Sequence, residues 1–293
     1  MMNYQHFYHA GNHADVFKHL VLLGLLQKLL EKSKAFCVID THAGSGKYAI
    51  ALSPTPLSFS VNNFSQPPEW LTGIGLLQQQ AAQITDPLLK HYLHFQADLR
   101  NFKGSPLLAA QCLRAHDALI LIEKADTPYQ MLRKLFLDCR NVHIHHITAE
   151  TALQSLLPPT VRRGLVFIDP PYENLNELEK WPFLLKKAYQ KFPTACYALW
   201  YPIKARARIT QFYRDLQENF FLSSRTPTPK IPSILICECC PWPDDFGIKL
   251  NGSGMAIINP PWAFETLITP ALENLTTILK QQAGGFWQVK KLN

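Results

Sequence analysis

Ala35-Phe36-Cys37-Val38-Ile39-Asp40-Thr41-His42-Ala43-Gly44-Ser45-Gly46 is an apolar run that ends on an acid and a glycine-punctuated turn. Continuous apolar character over a few residues predicts a strand buried on both faces, as in a parallel sheet covered by helices. Ligands of such sheets bind beyond the carboxyl ends of the strands, where glycines let the backbone approach them closely. The loop is therefore a nucleotide-site candidate. A phosphate-cradling loop would need G-x-x-x-x-G-K-[ST], but Thr41 stands five before Gly46 and Tyr48 follows Lys47. A dinucleotide fingerprint would need a third glycine where Ala49 stands. An ordinary tight turn is the plain alternative, and the other strand ends must decide.

Upstream, Leu20 to Leu30 is rich in strong helix formers and leads through Glu31-Lys32-Ser33-Lys34 into the strand. Downstream, short apolar runs recur at Ala118 to Ile122, Val142 to Ile147, Leu165 to Ile168, Ala195 to Tyr201, Ile234 to Cys239 and Met255 to Ile258. With the first run they predict an α/β fold with a seven-stranded, mostly parallel sheet, because most are separated by room for a helix. The last two are close enough for an antiparallel return. Between about Leu52 and Arg100 the composition turns to Pro, Ser, Gln and Leu, with helix-like stretches around Leu71 to Ile84. This predicts a small helical insertion, residues 52–100, in a larger domain made of 1–51 and 101–293. The Pro-rich stretch Thr226 to Pro232 reads as a loop.

The 293 residues are 47% apolar and only 17% charged, which excludes disorder and coiled coil. Lys and Arg number 29 against 22 acids, a net charge of +7 that hints at a polyanionic partner. Leu20 to Leu30, the longest apolar stretch, is interrupted by Gln27 and Lys28 and is too short for a membrane span. Met1 to His13 is polar and lacks the apolar core of a signal peptide. Seven cysteines, clustered only at Cys237, Cys239 and Cys240, have no second ligand pair for zinc, so no metal is expected. A reduced cytoplasmic protein, monomeric and without a membrane partner, is the expectation.

Other strand ends supply chemistry. Glu123 ends the second strand, where an acid can take both hydroxyls of a ribose. Glu150, after the third, could accept from an adenine amino group. The fourth carries Asp169-Pro170-Pro171-Tyr172, an acid delivered to the sheet edge, a stiff turn and an aromatic ring. Such a turn suits methylation of a conjugated amino nitrogen, whose lone pair is spread into its ring. A carboxylate and a backbone carbonyl accepting its two N–H bonds make that nitrogen more pyramidal and oppose the positive charge it acquires. Tyr172 can stack on a flipped base. A near copy, Asn259-Pro260-Pro261-Trp262, follows the last strand. Asp169 is preferred because a site in the central crevice follows a central strand, and the seventh strand is expected to flank the sheet.

Further motifs join these: Tyr4-x-His6, Phe7 to Val16, Lys18-His19, Asp40 to Gly44, Gly104-Ser105-Pro106, Arg162-Arg163-Gly164, and Ala198-Leu199-Trp200-Tyr201-Pro202. From the N-terminus to at least Trp262 the chain resembles the ribosomal RNA large subunit methyltransferase J family. The resemblance implies a Rossmann-like class I methyltransferase that uses S-adenosylmethionine to methylate N6 of an adenosine in 23S rRNA. It implies cofactor contacts at His19, His42, Ser105, Glu123, Glu150, Thr151 and Asp169, beside Lys18, Asp40 and Gly44 in the same motifs. Asp169 is the implied catalytic acceptor, with Pro170 and Tyr172 completing the catalytic turn. Tyr4, with His6 and Tyr172, is placed on the substrate. Glu150-Thr151 stand where the family usually carries Asp-Gly, and Lys124-Ala125-Asp126 depart from its usual polar turn. Rival readings are an amino-group methyltransferase acting on DNA adenine or a protein glutamine, and a non-catalytic nucleic-acid-binding module. Arg162-Arg163 and Lys204, Arg206, Arg208 and Arg214 are candidate RNA contacts.

Overall fold

The computed structural model describes residues 10–50, 68–172, 177–222, 231–247 and 250–292. The first described helix, α1 (His13–Leu30), begins well before Leu20. Its cap is Asn12, whose side chain accepts from Ala14 N and Asp15 N at 3.0 Å each, while the Asp15 carboxylate takes the Gly11 N–H. Such reciprocal capping satisfies helix-end donors that would otherwise be buried without partners. The polar residues His13, Asp15, Lys18 and His19 hide this first part of the helix from an apolar-run reading, yet all four are buried.

After α1 come β1 (Cys37–Asp40), α2 (Ile74–Gln79), α3 (Pro87–Phe95), α4 (Ser105–Cys112), β2 (Ala118–Ile122), α5 (Asp126–Leu135) and β3 (Val142–His145). The chain continues as α6 (Ala149–Ser155), β4 (Gly164–Ile168), α7 (Glu177–Lys191), β5 (Cys196–Ile203) and α8 (Arg206–Gln217). It closes with β6 (Ile234–Cys240), β7 (Gly252–Ile258), α9 (Phe264–Leu279) and β8 (Phe286–Leu292). A two-residue ladder, Lys47–Tyr48 with Phe102–Lys103, lies outside the main sheet.

The sheet order is β8-β6-β7-β5-β4-β1-β2-β3. Strands β1 to β5 pair in parallel, whereas β7 is antiparallel to both neighbours and β8 is antiparallel to β6. Successive strand residues face opposite sides, and both sides are apolar. Val38, Leu165 and Phe167 pack with α1, α4 and α9; Ile39, Val166 and Ile168 pack with α6, α7 and α8. Two cores, one on each face, explain why the strands read as continuous apolar runs rather than alternating ones.

Eight strands form the sheet, not seven. The additional one, Phe286-Trp287-Gln288-Val289-Lys290-Lys291-Leu292, is a half-buried edge strand that mixes polar and apolar residues, so it carries no apolar run. The β6–β7 return is antiparallel, as expected. In the 52–100 stretch, residues 51–67 lie outside the described residues. The described part builds no core of its own: Ile74, Leu77, Leu88, Leu89 and Tyr92 share the apolar cluster of α1.

Strand β7 is internal, lying between β5 and β6, but it runs backwards, with Tyr197 opposite Ile258. Its following Asn259 therefore emerges at the end of the sheet opposite Asp169, where its amide donates to Ala195 O at 3.1 Å. Strand direction, rather than a flanking position, separates Asn259 from the sheet end that carries Asp169. Arg162-Arg163 precede β4 and sit at that same far end; Arg163 donates to Lys34 O at 2.9 Å and stacks on Phe36.

Gly164 faces Cys37 across the β1–β4 pair, and a Cβ there would stand 2.2 Å from Cys37 O. Forcing in that methyl pushes apart the two strands that deliver Asp40 and Asp169. Gly164→Ala is expected to cost about 1–3 kcal/mol, seen in a thermal melt as a midpoint lowered by several degrees at roughly 2–4 °C per kcal/mol.

Candidate active site

The carboxyl ends of β1, β2, β4 and β5 open into one cleft of about 1790 Å³. At the end of β1, Asp40 is almost fully buried and accepts from Ser105 Oγ at 2.7 Å and from His42 N at 3.2 Å. Burial, reinforced by the Asp169 and Glu123 carboxylates against those two hydrogen bonds, pushes its carboxyl up to about 7. His42 lines the cleft, with its ring edge-on to Trp181 and Nδ1 2.9 Å from Thr41 Oγ1. Burial pushes it down to about 3, so it is a neutral ring.

Gly44 turns the loop at φ +61°, and a Cβ there would meet the Tyr48 hydroxyl at 2.3 Å. Its N–H donates to Glu123 Oε2 at 2.9 Å while Ala125 N donates to Oε1 at 2.7 Å. Both Glu123 oxygens are thus aimed by the backbone and keep lone pairs for further donors. Glu150, in the first turn of α6, is held by Lys180 of α7 at 2.7 Å.

Lys18 Nζ lies 2.9 Å from Asp15 and 2.8 Å from Asp169, and 4.7 Å from the Trp200 ring centre. It ties α1 to the end of β4 and fixes the Asp169 carboxylate. His19, one residue on, lies against Tyr92 and Phe102. Tyr172 takes φ +47°, a conformation disfavoured for a bulky side chain. Its hydroxyl donates to Trp200 O at 2.6 Å and its ring is tilted against the Trp200 ring, which holds the turn in place.

Lys18, His19, His42, Gly44, Ser105, Glu123, Glu150, Asp169, Pro170 and Tyr172 all line this cleft. Asp40 lies beneath it, bonded to two of its lining residues. Thr151 does not line it; exposed on α6, it donates its N–H to the Thr148 cap. Tyr4 and His6 lie outside the described residues. The sequence reading gives no site role to His13 and Asp15, although both stand in the Phe7 to Val16 motif, nor to Glu69, Trp181 and Trp242 of the lining. The Asn12-x-x-Asp15 spacing is a helix-start signal that would have found the first two. Nothing in the local sequence points to Trp242.

Among the described residues five buried side-chain polar atoms lack a hydrogen-bond partner, and four of them, His13 Nδ1, Glu177 Oε2, Trp181 Nε1 and Trp200 Nε1, belong to cleft-lining residues. Native structures leave few such atoms, so their concentration here suits a polar ligand. Among the described residues no group of three or more His, Cys, Asp or Glu side chains is placed to hold a metal. Likewise, no described helix is long and apolar enough to cross a membrane. Cys237, Cys239 and Cys240 are buried free thiols of β6.

Parallel strands closed by an antiparallel return, with a glycine turn and an acid after β1 and β2 and an Asp-Pro-Pro-Tyr turn after β4, define a class I methyltransferase. A family model described as "Ribosomal RNA large subunit methyltransferase D, RlmJ" matches residues 33–292. The chain belongs to this ribosomal RNA large subunit methyltransferase J family. Two relatives carry the name "Ribosomal RNA large subunit methyltransferase J". The one from Haemophilus influenzae is 35% identical over 99% of this chain and 98% of its own length. The Escherichia coli protein is 34% identical over 90% and 89%. A crystal structure of a Legionella pneumophila protein is similar at 33% identity and a TM-score of 0.80, covering 96% of this chain and 98% of that one.

Fold and family make S-adenosylmethionine the methyl donor, and the unsatisfied donors and backbone-aimed Glu123 carboxylate fit a polar nucleoside of that kind. Because the Asp40 carboxyl is raised from 3.8 to about 7, the folded state binds more protons than the unfolded one between those values. Asp40 therefore contributes stability that is complete below pH 4 and lost as pH rises through about 7. Asp40→Asn is expected to gain stability relative to the wild type as pH is raised from 5 to 8, measured by urea unfolding without cofactor. An unchanged difference across that range would contradict the raised carboxyl.

Proposed function

We propose that the protein methylates N6 of an adenosine in 23S rRNA. The observation that carries this reading is the Asp169-Pro170-Pro171-Tyr172 turn, held in the cleft by Lys18 on one side and by Trp200 O on the other. The names of the Haemophilus influenzae and Escherichia coli relatives add the large-subunit rRNA as substrate class.

In this reading the Asp169 carboxylate and the Pro170 carbonyl accept the two N–H bonds of the adenine amino group. They draw its lone pair out of the ring and oppose the positive charge that grows on nitrogen. Lys18 keeps the carboxylate at a fixed orientation, so little rearrangement is needed as the charge develops. Glu123 and Glu150 would accept from the cofactor's sugar and adenine, with Lys18, His19, His42, Gly44 and Ser105 around the rest and Asp40 holding His42 N and Ser105 Oγ from beneath. When bound, S-adenosylmethionine supplies an electrophilic methyl group. Tyr172 and Trp200 would shape the base pocket, and Tyr4 and His6 are assigned to the substrate by the family resemblance alone. Catalysis by a cytoplasmic monomer belongs to the same proposal, and the free thiols support a reducing compartment.

Short hairpins copied from 23S rRNA should accept a labelled methyl group at adenine N6, located by nuclease digestion and mass spectrometry. Asp169→Ala should lower kcat about 100- to 1000-fold while RNA affinity changes little, because the lost bond matters most in the transition state. Equal turnover of duplex DNA or of a glutamine peptide, or an Asp169→Ala protein of normal kcat, would overturn this assignment.

A further inference from the structure

The most elaborate ionic network among the described residues lies away from Asp169, under another wall of the same cleft. Glu238 on β6 is fully buried and accepts two bonds from Arg206 Nη1, at 2.9 and 3.0 Å. Tyr201 donates to it at 3.1 Å, and Tyr213 and Gln288 complete its partners. The same guanidinium donates to both Asp244 oxygens, at 2.8 and 2.9 Å, and the Arg206 N–H donates to Asp245. Buried ion pairs are weak evidence for stability, and a frequent return on their desolvation cost is a defined geometry. What this one defines is the relation between two loops, the β5–α8 connection and the one that follows β6. The first presents Lys204 to the cleft and the second presents Trp242.

Lys204 is exposed and makes no ion pair with any described residue. Trp242 is half-buried, edge-on to the His13 ring at 5.3 Å, and so keeps part of its surface open. A cation and an indole on one rigid wall match the two parts of a nucleotide, its phosphate and its base. The cleft is also too large for one small molecule: about 1790 Å³, against roughly 300–1,000 Å³ for a typical ligand pocket. Of the candidate RNA contacts Lys204, Arg206, Arg208 and Arg214, only Lys204 lines the cleft, and Arg206 is committed to Glu238 and Asp244.

We propose that Trp242 and Lys204 form a subsite for a nucleotide adjacent to the target adenosine, with its base on the indole and its phosphate at the ammonium. The proposal rests on the rRNA reading above. It makes the enzyme a reader of a short single-stranded segment rather than of an isolated base.

A coupling experiment between protein and RNA tests it. The probe is the hairpin that the wild-type protein methylates, intact or with an abasic residue immediately 5′ or 3′ of the target. The wild type should lose about tenfold in kcat/KM on one of the abasic hairpins. Trp242→Ala should lose about the same on the intact hairpin, mainly in KM, and nothing further on that abasic one, while Trp242→Phe should keep most of the coupling. Lys204→Ala should flatten log KM against log salt by about 0.7, one phosphate contact on a single strand. Losses from Trp242→Ala and the abasic residue that multiply, or a wild type indifferent to both abasic hairpins, would overturn the subsite alone. A wild type that methylates no 23S hairpin would overturn the substrate reading and the subsite together.

Discussion

One ammonium, Lys18 Nζ, sits between the carboxylates of Asp15 and Asp169 with its side chain 9% exposed. It joins the first helix to the fourth strand, partners 151 residues apart in sequence. Removing one member of so enclosed a group leaves a charge without compensation, which typically costs about 3–5 kcal/mol. Much of the architecture around it serves to keep α1 where this contact requires it. Asn12 caps the helix and is held in turn by Glu69 at 2.8 Å; Ile74 N donates to Gly11 O at 2.9 Å. The stretch that reads in sequence as a helical insertion is thus the support of the helix that bears Lys18.

The cleft mixes both signs of charge. Its lining contains Asp15, Glu69, Glu123, Glu150, Asp169 and Glu177, above buried Asp40, interleaved with Lys18, Lys47, Lys124, Lys180 and Lys204. The carboxylates favour cationic or hydrogen-bond-donating groups, while a phosphate is attracted to those lysines that carry no acid beside them. The two histidines with the strongest burial effect, His13 and His42, are pushed down to about 4 and 3, so neither adds charge near neutrality. Histidine counts alone overstate how basic this surface is.

Legibility in the sequence tracked the number of faces an element buries. Strands β1, β2, β4, β5, β6 and β7 are internal and stand out as apolar runs; of the two edge strands, β3 is still legible from Val142, Ile144 and Ile147, whereas β8, which mixes polar and apolar residues, is not. The beginning of α1 was hidden for the opposite reason: its polar side chains are buried because they serve the cleft. Site residues at strand ends were readable because strand, acid and glycine turn are contiguous. Trp242 and the Arg206–Glu238–Asp244 bridge were not, since they meet only through the antiparallel packing of β6 and β7.

That antiparallel return has a consequence for how such proteins can change. Asp169-Pro-Pro-Tyr and Asn259-Pro-Pro-Trp are almost one word written twice, one on a strand that ends at the cleft and one on a strand that ends at the far pole. A composition-level comparison scores them alike, but polarity makes one chemically eloquent and the other mute. Drift at Asn259 is then answerable to the turn that its amide ties to Ala195, not to turnover. The duplicated word is a shared way of leaving a strand, and only the copy that ends at the cleft stands within reach of what the cleft holds.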